Sequence, residues 1–252
     1  MAIAAGKKLS LDHFDVTSAF TQSAIDAEIY LEPPPGKFTT YDSKGRPKML
    51  RLKKALYGTK QASKLWQDAL VNHLTNNMGF KQLTYDPCMF IKHVKHGMTM
   101  RTIIVGVYVD DLIVAHDSPE LLSWFKDEFT GPRGFNASHL GKLSWFLGMA
   151  VDQHSDHSVT IHQTKYIDTL ITKFSPPHTT STMPCNPDTF QRLTKSRTLE
   201  ERERLSKLPY LELVGSLLYL AQTRPDISYH MSVLCSYTVS YTHLTLPTIL
   251  LV

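Results

Sequence analysis

Nowhere in this sequence does an apolar run approach the ~18 residues that a membrane-spanning helix needs, and no secretory pattern follows the short apolar start at residues 1–9. No membrane partner is expected. Three cysteines, Cys88, Cys185 and Cys235, are far apart and odd in number, which excludes a disulfide framework and any recognisable zinc spacing. A reducing compartment fits such usage. His154, His157 and His162 lie close together, but no cysteine or carboxylate pattern completes a ligand set around them. Nor does either charge dominate overall: 27 basic against 23 acidic residues leaves +4. There is no internal repeat.

What is present is enough apolar material for a core, 42% of 252 residues, in one large domain or two small ones. The charge is unevenly placed. Residues 44–64 hold eight basic side chains (Lys44, Arg46, Lys48, Arg51, Lys53, Lys54, Lys60 and Lys64) and no acidic one. Such a stretch either meets a phosphate backbone or forms a solvated basic face.

The most informative feature is Tyr108-Val109-Asp110-Asp111, set between the apolar runs of residues 102–107 and 112–115. Two strands joined at an acidic tip is the natural reading. Adjacent carboxylates repel, so a tip of this kind calls for a cation, and phosphoryl transfer with divalent metal is the chemistry that uses one. Around it, residues 11–20 read as a strand entering a turn or short helix. Asp42-Ser43-Lys44-Gly45 reads as a hairpin tip. Ala62, Leu65, Trp66, Ala69, Leu70 and Leu74 recur at helical spacing, with Gly79 closing the helix. A short strand is expected at residues 88–91. Ser118 caps a second helix that starts at Pro119 and carries Leu121, Leu122, Phe125 and Phe129 on one face. Residues 145–151 and 159–162 read as a further pair of strands. Helical stripes follow at Tyr166, Ile167, Leu170, Ile171 and Phe174, and at Val214, Leu217, Leu218 and Ala221. Between them, residues 175–198 form a Pro/Ser/Thr-rich linker, and Thr198 with Glu201 fits a capping box. The expected fold class is α+β: a small antiparallel sheet with helices on one face, able to bring Asp15 beside the tip.

Seven ordered blocks then resemble the reverse transcriptase of Ty/copia-type long-terminal-repeat retrotransposons. They are Asp15-Val16-x-x-Ala19-Phe20; Glu28-Ile29-Tyr30 with Pro34-Pro35-Gly36; Leu52-x-Lys54-Ala55-Leu56-Tyr57-Gly58-x-Lys60-Gln61-Ala62; Asp86-Pro87-Cys88; Tyr108-Val109-Asp110-Asp111; Leu140-Gly141 with Phe146-Leu147-Gly148; and Val214-Gly215-Ser216-Leu217-Leu218-Tyr219-Leu220 with Thr223-Arg224-Pro225-Asp226. The chain departs from the family pattern at Thr59, Ser63 and Thr21-Gln22-Ser23.

The resemblance implies a polymerase palm with partial fingers over residues 1–163, a fingers-like insertion about residues 30–60, and a thumb or connection segment over 164–238. It implies that Asp15, Asp110 and Asp111 hold two Mg²⁺ ions, with Mn²⁺ as a substitute. Phe20 then excludes a ribose 2′-hydroxyl, and Tyr57, Gly58, Lys60 and Gln61 lie beside the incoming nucleotide. Lys53, Lys54, Tyr108, Phe146, Leu147 and Gly148 contact primer or template. Implied partners are an RNA or DNA template with its primer, deoxynucleoside triphosphates, and other polyprotein segments (fingers, ribonuclease H, integrase). The implied location is the cytoplasm, in a virus-like particle, with the nucleus as a second compartment. A fingers segment ahead of Met1 and a ribonuclease H domain beyond residue 238 are expected in the parent polyprotein, and a fragment without them is expected to have little activity. Residues 239–252 resemble the in-frame translation of a sequencing adapter and are expected to be non-native. Two other readings stand beside the polymerase: a catalytically dead remnant that still binds nucleic acid, and another palm-type phosphotransferase, against which the blocks around Lys54 and Arg224 argue.

Overall fold

The computed structural model describes residues 1–34, 36, 39–175 and 208–238; most of the expected linker, its capping box and the adapter-like tail lie outside the described residues. The chain divides into two compact units, Met1–Phe146 with Val151–Thr160, and Leu147–Ala150 with the residues from Ile161 onward.

The first unit is built on a six-stranded antiparallel sheet. In chain order it uses β1 (Ser10–Val16), β4 (Lys81–Gln82), β5 (Met89–His96), β6 (Thr99–Tyr108), β7 (Asp111–His116) and β8 (Ala137–Lys142), arranged β4-β5-β6-β7-β1-β8. β2 (Tyr30–Leu31) and β3 (Leu50–Arg51) form a separate two-stranded ribbon. Strands β6 and β7 read as continuous apolar runs because both of their faces are covered. Phe14, Val16, Phe90, Ile103, Val105, Leu112 and Val114 point to one face, where α2 (Ala62–Asn72) and α3 (Pro119–Thr130) bring Trp66, Leu70, Leu121, Phe125 and Phe129. Ile104, Ala115 and Leu11 point to the other.

Helices on one face is thus half of the arrangement. The second face is closed by the short α1 (Ala2–Gly6), which contributes Ala4, and by Phe146, Val151 and Val159 from β9 (Trp145–Phe146), β10 (Met149–Gln153) and β11 (Val159–His162). The strand expected across 145–151 is broken into β9 and β10 by Leu147 and Gly148, with φ of 48° and 77°.

Local signals explain both helices. The Ser118 hydroxyl accepts from the Leu121 amide at 3.2 Å, and Pro119 fills the first helical position. α2 continues past Asn72 into a π turn at His73–Asn77 that buries Leu74, and Gly79 follows with φ of 71°. The Asp42 carboxylate accepts from the Lys44 and Arg46 amides, each at 2.9 Å, and fixes the expected hairpin tip. β8 has no counterpart among the strands expected from sequence. It pairs with β1 across a bulge that opens between His13 and Phe14.

One polar cluster sits inside the helix-covered face. Asp12 is buried and accepts from His116 Nε2 at 2.9 Å and from His139 Nε2 at 2.7 Å; the His139 ring stacks on Phe14. Burial by itself would raise the Asp12 pKa, but the two imidazole hydrogen bonds and their charge outweigh it and hold the carboxyl below its usual range.

In the second unit, α4 (Thr164–Phe174), α5 (Tyr210–Leu220) and α6 (Ser228–Ser236) pack through side-chain-to-backbone bonds. Tyr166 Oη donates to the Ser216 carbonyl at 3.3 Å and Tyr210 Oη to the Leu234 carbonyl at 2.8 Å. Lys173 and Glu212 form an ion pair. Among the described residues, no helix is long and apolar enough to cross a membrane.

Because the Asp12 pKa is depressed, its contribution to stability is complete above the unfolded value near 3.8 and is lost as pH falls through the folded value. Asp12→Ala leaves the buried His116 imidazole and the half-buried His139 imidazole without their acceptor and is expected to cost about 3–5 kcal/mol at neutral pH. Urea unfolding at pH 7 and pH 3 checks this: the gap between wild type and variant should narrow at the lower pH.

Candidate active site

Two stretches of chain almost a hundred residues apart build the site. β1 pairs with β7 so that Asp15 lies opposite Asp111, and β6 pairs with β7 so that Tyr108 lies opposite Asp111. Val109 and Asp110 are left as a two-residue turn. Side chains alternate along a strand, so Asp15 and His13 share the sheet face of Asp111, away from α2 and α3.

The turn is held in an unfavourable backbone shape. Val109 has φ of 56°, a conformation that a β-branched residue rarely adopts and that hairpins usually give to glycine. Two hydrogen bonds from different elements hold it there. The Trp66 indole N–H of α2 donates to the Val109 carbonyl at 2.6 Å, and the Val16 amide of β1 donates to the Asp110 carbonyl at 2.8 Å. Trp66, which the sequence marks only as a core position, thereby ties α2 to the acidic tip.

The three carboxylates act on one another electrostatically. Burial, then the charges of Asp110 and Asp111, lift the Asp15 pKa above its ordinary value, and His13 partly offsets them. His13 Nε2 bonds Asp111 Oδ1 at 2.8 Å, and its ring meets Phe146 edge-on at 6.0 Å. Among the described residues, no three His, Cys, Asp or Glu side chains close on one point as a ready cation cage. What the site offers is three hard-oxygen carboxylates close enough to act on one another's charge. It fits a dication such as Mg²⁺, which takes a few carboxylates and completes its shell with water and substrate phosphates.

The segment after β3 runs beside β1's exit. Ala24 bridges Lys54, and the Ala55 amide donates to the Ser23 carbonyl at 3.0 Å. This brings Tyr57 onto Phe20, with ring centroids 4.4 Å apart. Gly58 has φ of 92°, and a Cβ there would meet nothing within 4 Å, so backbone conformation and not crowding calls for glycine. Lys60 is exposed and Gln61 half-buried in the turn that leads into α2. The basic stretch is less free than it reads in sequence: Arg46 pairs with Asp42 and Arg51 with Glu28, while its six lysines, Lys53 and Lys54 among them, are exposed. Tyr108 is exposed beside the tip.

Asp15, Asp110 and Asp111 belong to the first unit, and Leu147 and Gly148 to the second. There the Tyr219 hydroxyl donates to the Leu147 carbonyl at 2.6 Å, and a Cβ on Gly148 would lie 2.2 Å from that hydroxyl. Tyr219 has no role assigned from sequence alone, although it falls in a matching block.

The family described as "Reverse transcriptase (RNA-dependent DNA polymerase)" matches residues 1–187. The chain belongs to this family. Similar proteins include the "Retrovirus-related Pol polyprotein from transposon TNT 1-94" of Nicotiana tabacum, 29% identical over 92% of this chain and 17% of that polyprotein. A putative transposon Ty5-1 protein of Saccharomyces cerevisiae is 31% identical, over 87% of this chain and 67% of its own length. The "Retrovirus-related Pol polyprotein from transposon RE1" of Arabidopsis thaliana is 30% identical over 91% of this chain and 15% of that protein. The chain therefore corresponds to the reverse transcriptase domain of retrotransposon polyproteins and spans a small part of the two long ones.

The raised Asp15 pKa sets the sign of one prediction. The protonated side chain contributes fully below the unfolded value near 3.8, and that contribution is lost as pH rises through the folded value. Ionised Asp15 therefore weakens the metal-free fold at neutral pH. Asp15→Asn should raise the melting temperature of the metal-free chain at pH 7, with the gain shrinking toward pH 3.8. Calorimetry in a chelator across that range checks it.

Proposed function

We propose that this chain is the palm, with part of the fingers and the start of the thumb, of an RNA-directed DNA polymerase from a copia-type retroelement, and that it extends a primer 3′-hydroxyl with deoxynucleoside triphosphates and releases pyrophosphate. The observation that carries the reading is the register that sets Asp15 opposite Asp111, with Asp110 in the adjoining turn. Asp15, Asp110 and Asp111 would hold two Mg²⁺ ions, replaceable by Mn²⁺, and the bound ions supply a lowered pKa at the primer hydroxyl and charge stabilisation of in-line phosphoryl transfer.

The chain's own residues do the positioning. Phe20, backed by the Tyr57 ring, occupies space that a ribose 2′-hydroxyl would need, so deoxynucleotides are favoured by exclusion. Gly58, Lys60 and Gln61 follow Tyr57 in the turn that leads into α2, which would offer backbone and an ammonium group to a triphosphate. The exposed lysines Lys53 and Lys54 face a template or primer backbone through charge, without reading sequence. Tyr108 at the tip and Phe146 on β9 offer aromatic surface to the primer strand; for Leu147 and Gly148 the same role rests on the matching family block alone. The parent polyprotein supplies the remaining fingers contacts and the ribonuclease H and integrase segments.

Primer extension on an RNA template tests the proposal, with the chain joined to the segments that flank it in its own reading frame. Mg²⁺-dependent incorporation should fall by at least about a hundredfold in Asp110→Asn, the usual scale for losing one preorganised electrostatic group. Absence of extension with retained, salt-sensitive nucleic-acid binding would instead identify a remnant that binds without catalysis. In the same assay, Phe20→Val should raise ribonucleotide use relative to deoxynucleotide use by about tenfold or more.

A further inference from the structure

Among the described residues, His13 is the side chain of β1 that hydrogen-bonds to the acidic tip. It stands two residues before Asp15, so the period of the strand puts both on one face. Its direct register partner is Ile113, and it reaches diagonally across the pair to Asp111, where Nε2 meets Oδ1 at 2.8 Å. A carboxylate only accepts, so the ring nitrogen facing it carries the hydrogen. The ring is half-buried and stands edge-on to Phe146, 6.0 Å between centroids, which limits where it can swing.

We propose that His13 is a positioning residue: its Nε2–H fixes the rotation of the Asp111 carboxylate, so that this ligand is preorganised for a divalent cation. The inference rests on the polymerase reading above. In a triad of like charges, each carboxylate tends to rotate away from its neighbours, and a ligand that must be reoriented binds more weakly. A donor fixed on the neighbouring strand removes that freedom from Asp111. It also places partial positive charge beside Asp15, which keeps the metal-free cluster tolerable. Outer partners of metal-bound carboxylates ordinarily change affinity by about 10–100-fold when lost.

The test uses the full chain with Mn²⁺ alone, free ion being followed by electron paramagnetic resonance without nucleic acid. His13→Leu keeps bulk against Phe146 but removes the donor; His13→Gln returns an amide N–H. His13→Leu is expected to weaken Mn²⁺ binding about 10–100-fold, and His13→Gln to recover most of it. Equal affinity in His13→Leu and wild type overturns the inference while leaving the polymerase reading intact. So does a His13→Gln variant as weak as His13→Leu, because ring charge or packing would then be responsible. A wild-type chain that binds no Mn²⁺ overturns both. If His13→Leu loses its circular-dichroism signature of folding, the wild type still decides: Mg²⁺ addition should move the His13 Nε2 nitrogen resonance, and an unmoved resonance overturns the inference.

Discussion

The alignment of β1 against β7 is the constraint on which the site depends. With Asp15 opposite Asp111, the residues at 11, 13 and 15 face one way and those at 12, 14 and 16 the other. A slip of one residue would exchange these sets. It would send Asp15 into the aromatic cluster under α3 and bring Phe14 out beside the tip. The slip is opposed from both sides, because Phe14 and Val16 are buried in one core and Leu11 in the other. Gln153 adds a polar lock: its side chain accepts from the Leu11 amide at 3.0 Å and donates to the Leu9 carbonyl at 2.8 Å.

The two faces of β1 treat their acidic residues in opposite ways. Asp12 is buried with two imidazoles, so its charge is matched and it steadies the fold. Asp15 shares its surroundings with two further carboxylates and a single histidine, so its charge is left partly unmatched. The strained Val109 turn belongs to the same pattern, since strain concentrates where surrounding structure over-determines the backbone. Matched charge thus lies on the helix-covered face of β1 and partly unmatched charge on the other.

Much of this could be read from residues alone, for identifiable reasons. α2 and α3 announce themselves through apolar spacing, and α3 also through Ser118 and Pro119. The tip is legible because two adjacent carboxylates interrupt what is otherwise one continuous apolar stretch, and their mutual repulsion demands a counter-charge. What stays hidden are contacts that depend on tertiary geometry. Trp66 looks like any core position until its indole N–H is seen on the Val109 carbonyl. β8 contains a single large apolar residue, Leu140, and a glycine, so neither alternation nor β propensity marks it. The basic stretch looks unopposed because its acidic partners lie ahead of it in sequence, Asp42 just before it and Glu28 well before it. His13 did leave a signal: a histidine two places before an aspartate, on a strand otherwise suited to burial, shares that aspartate's face.

The second unit includes Leu147–Ala150, a loan of four residues from the middle of the first unit's strands. The polypeptide therefore passes between the units three times. Cutting the gene after Thr160 would not yield a clean amino-terminal module, because the excised helices carry away Tyr219, the donor that satisfies the Leu147 carbonyl. Any dissection of this polypeptide into parts must take that thread into account.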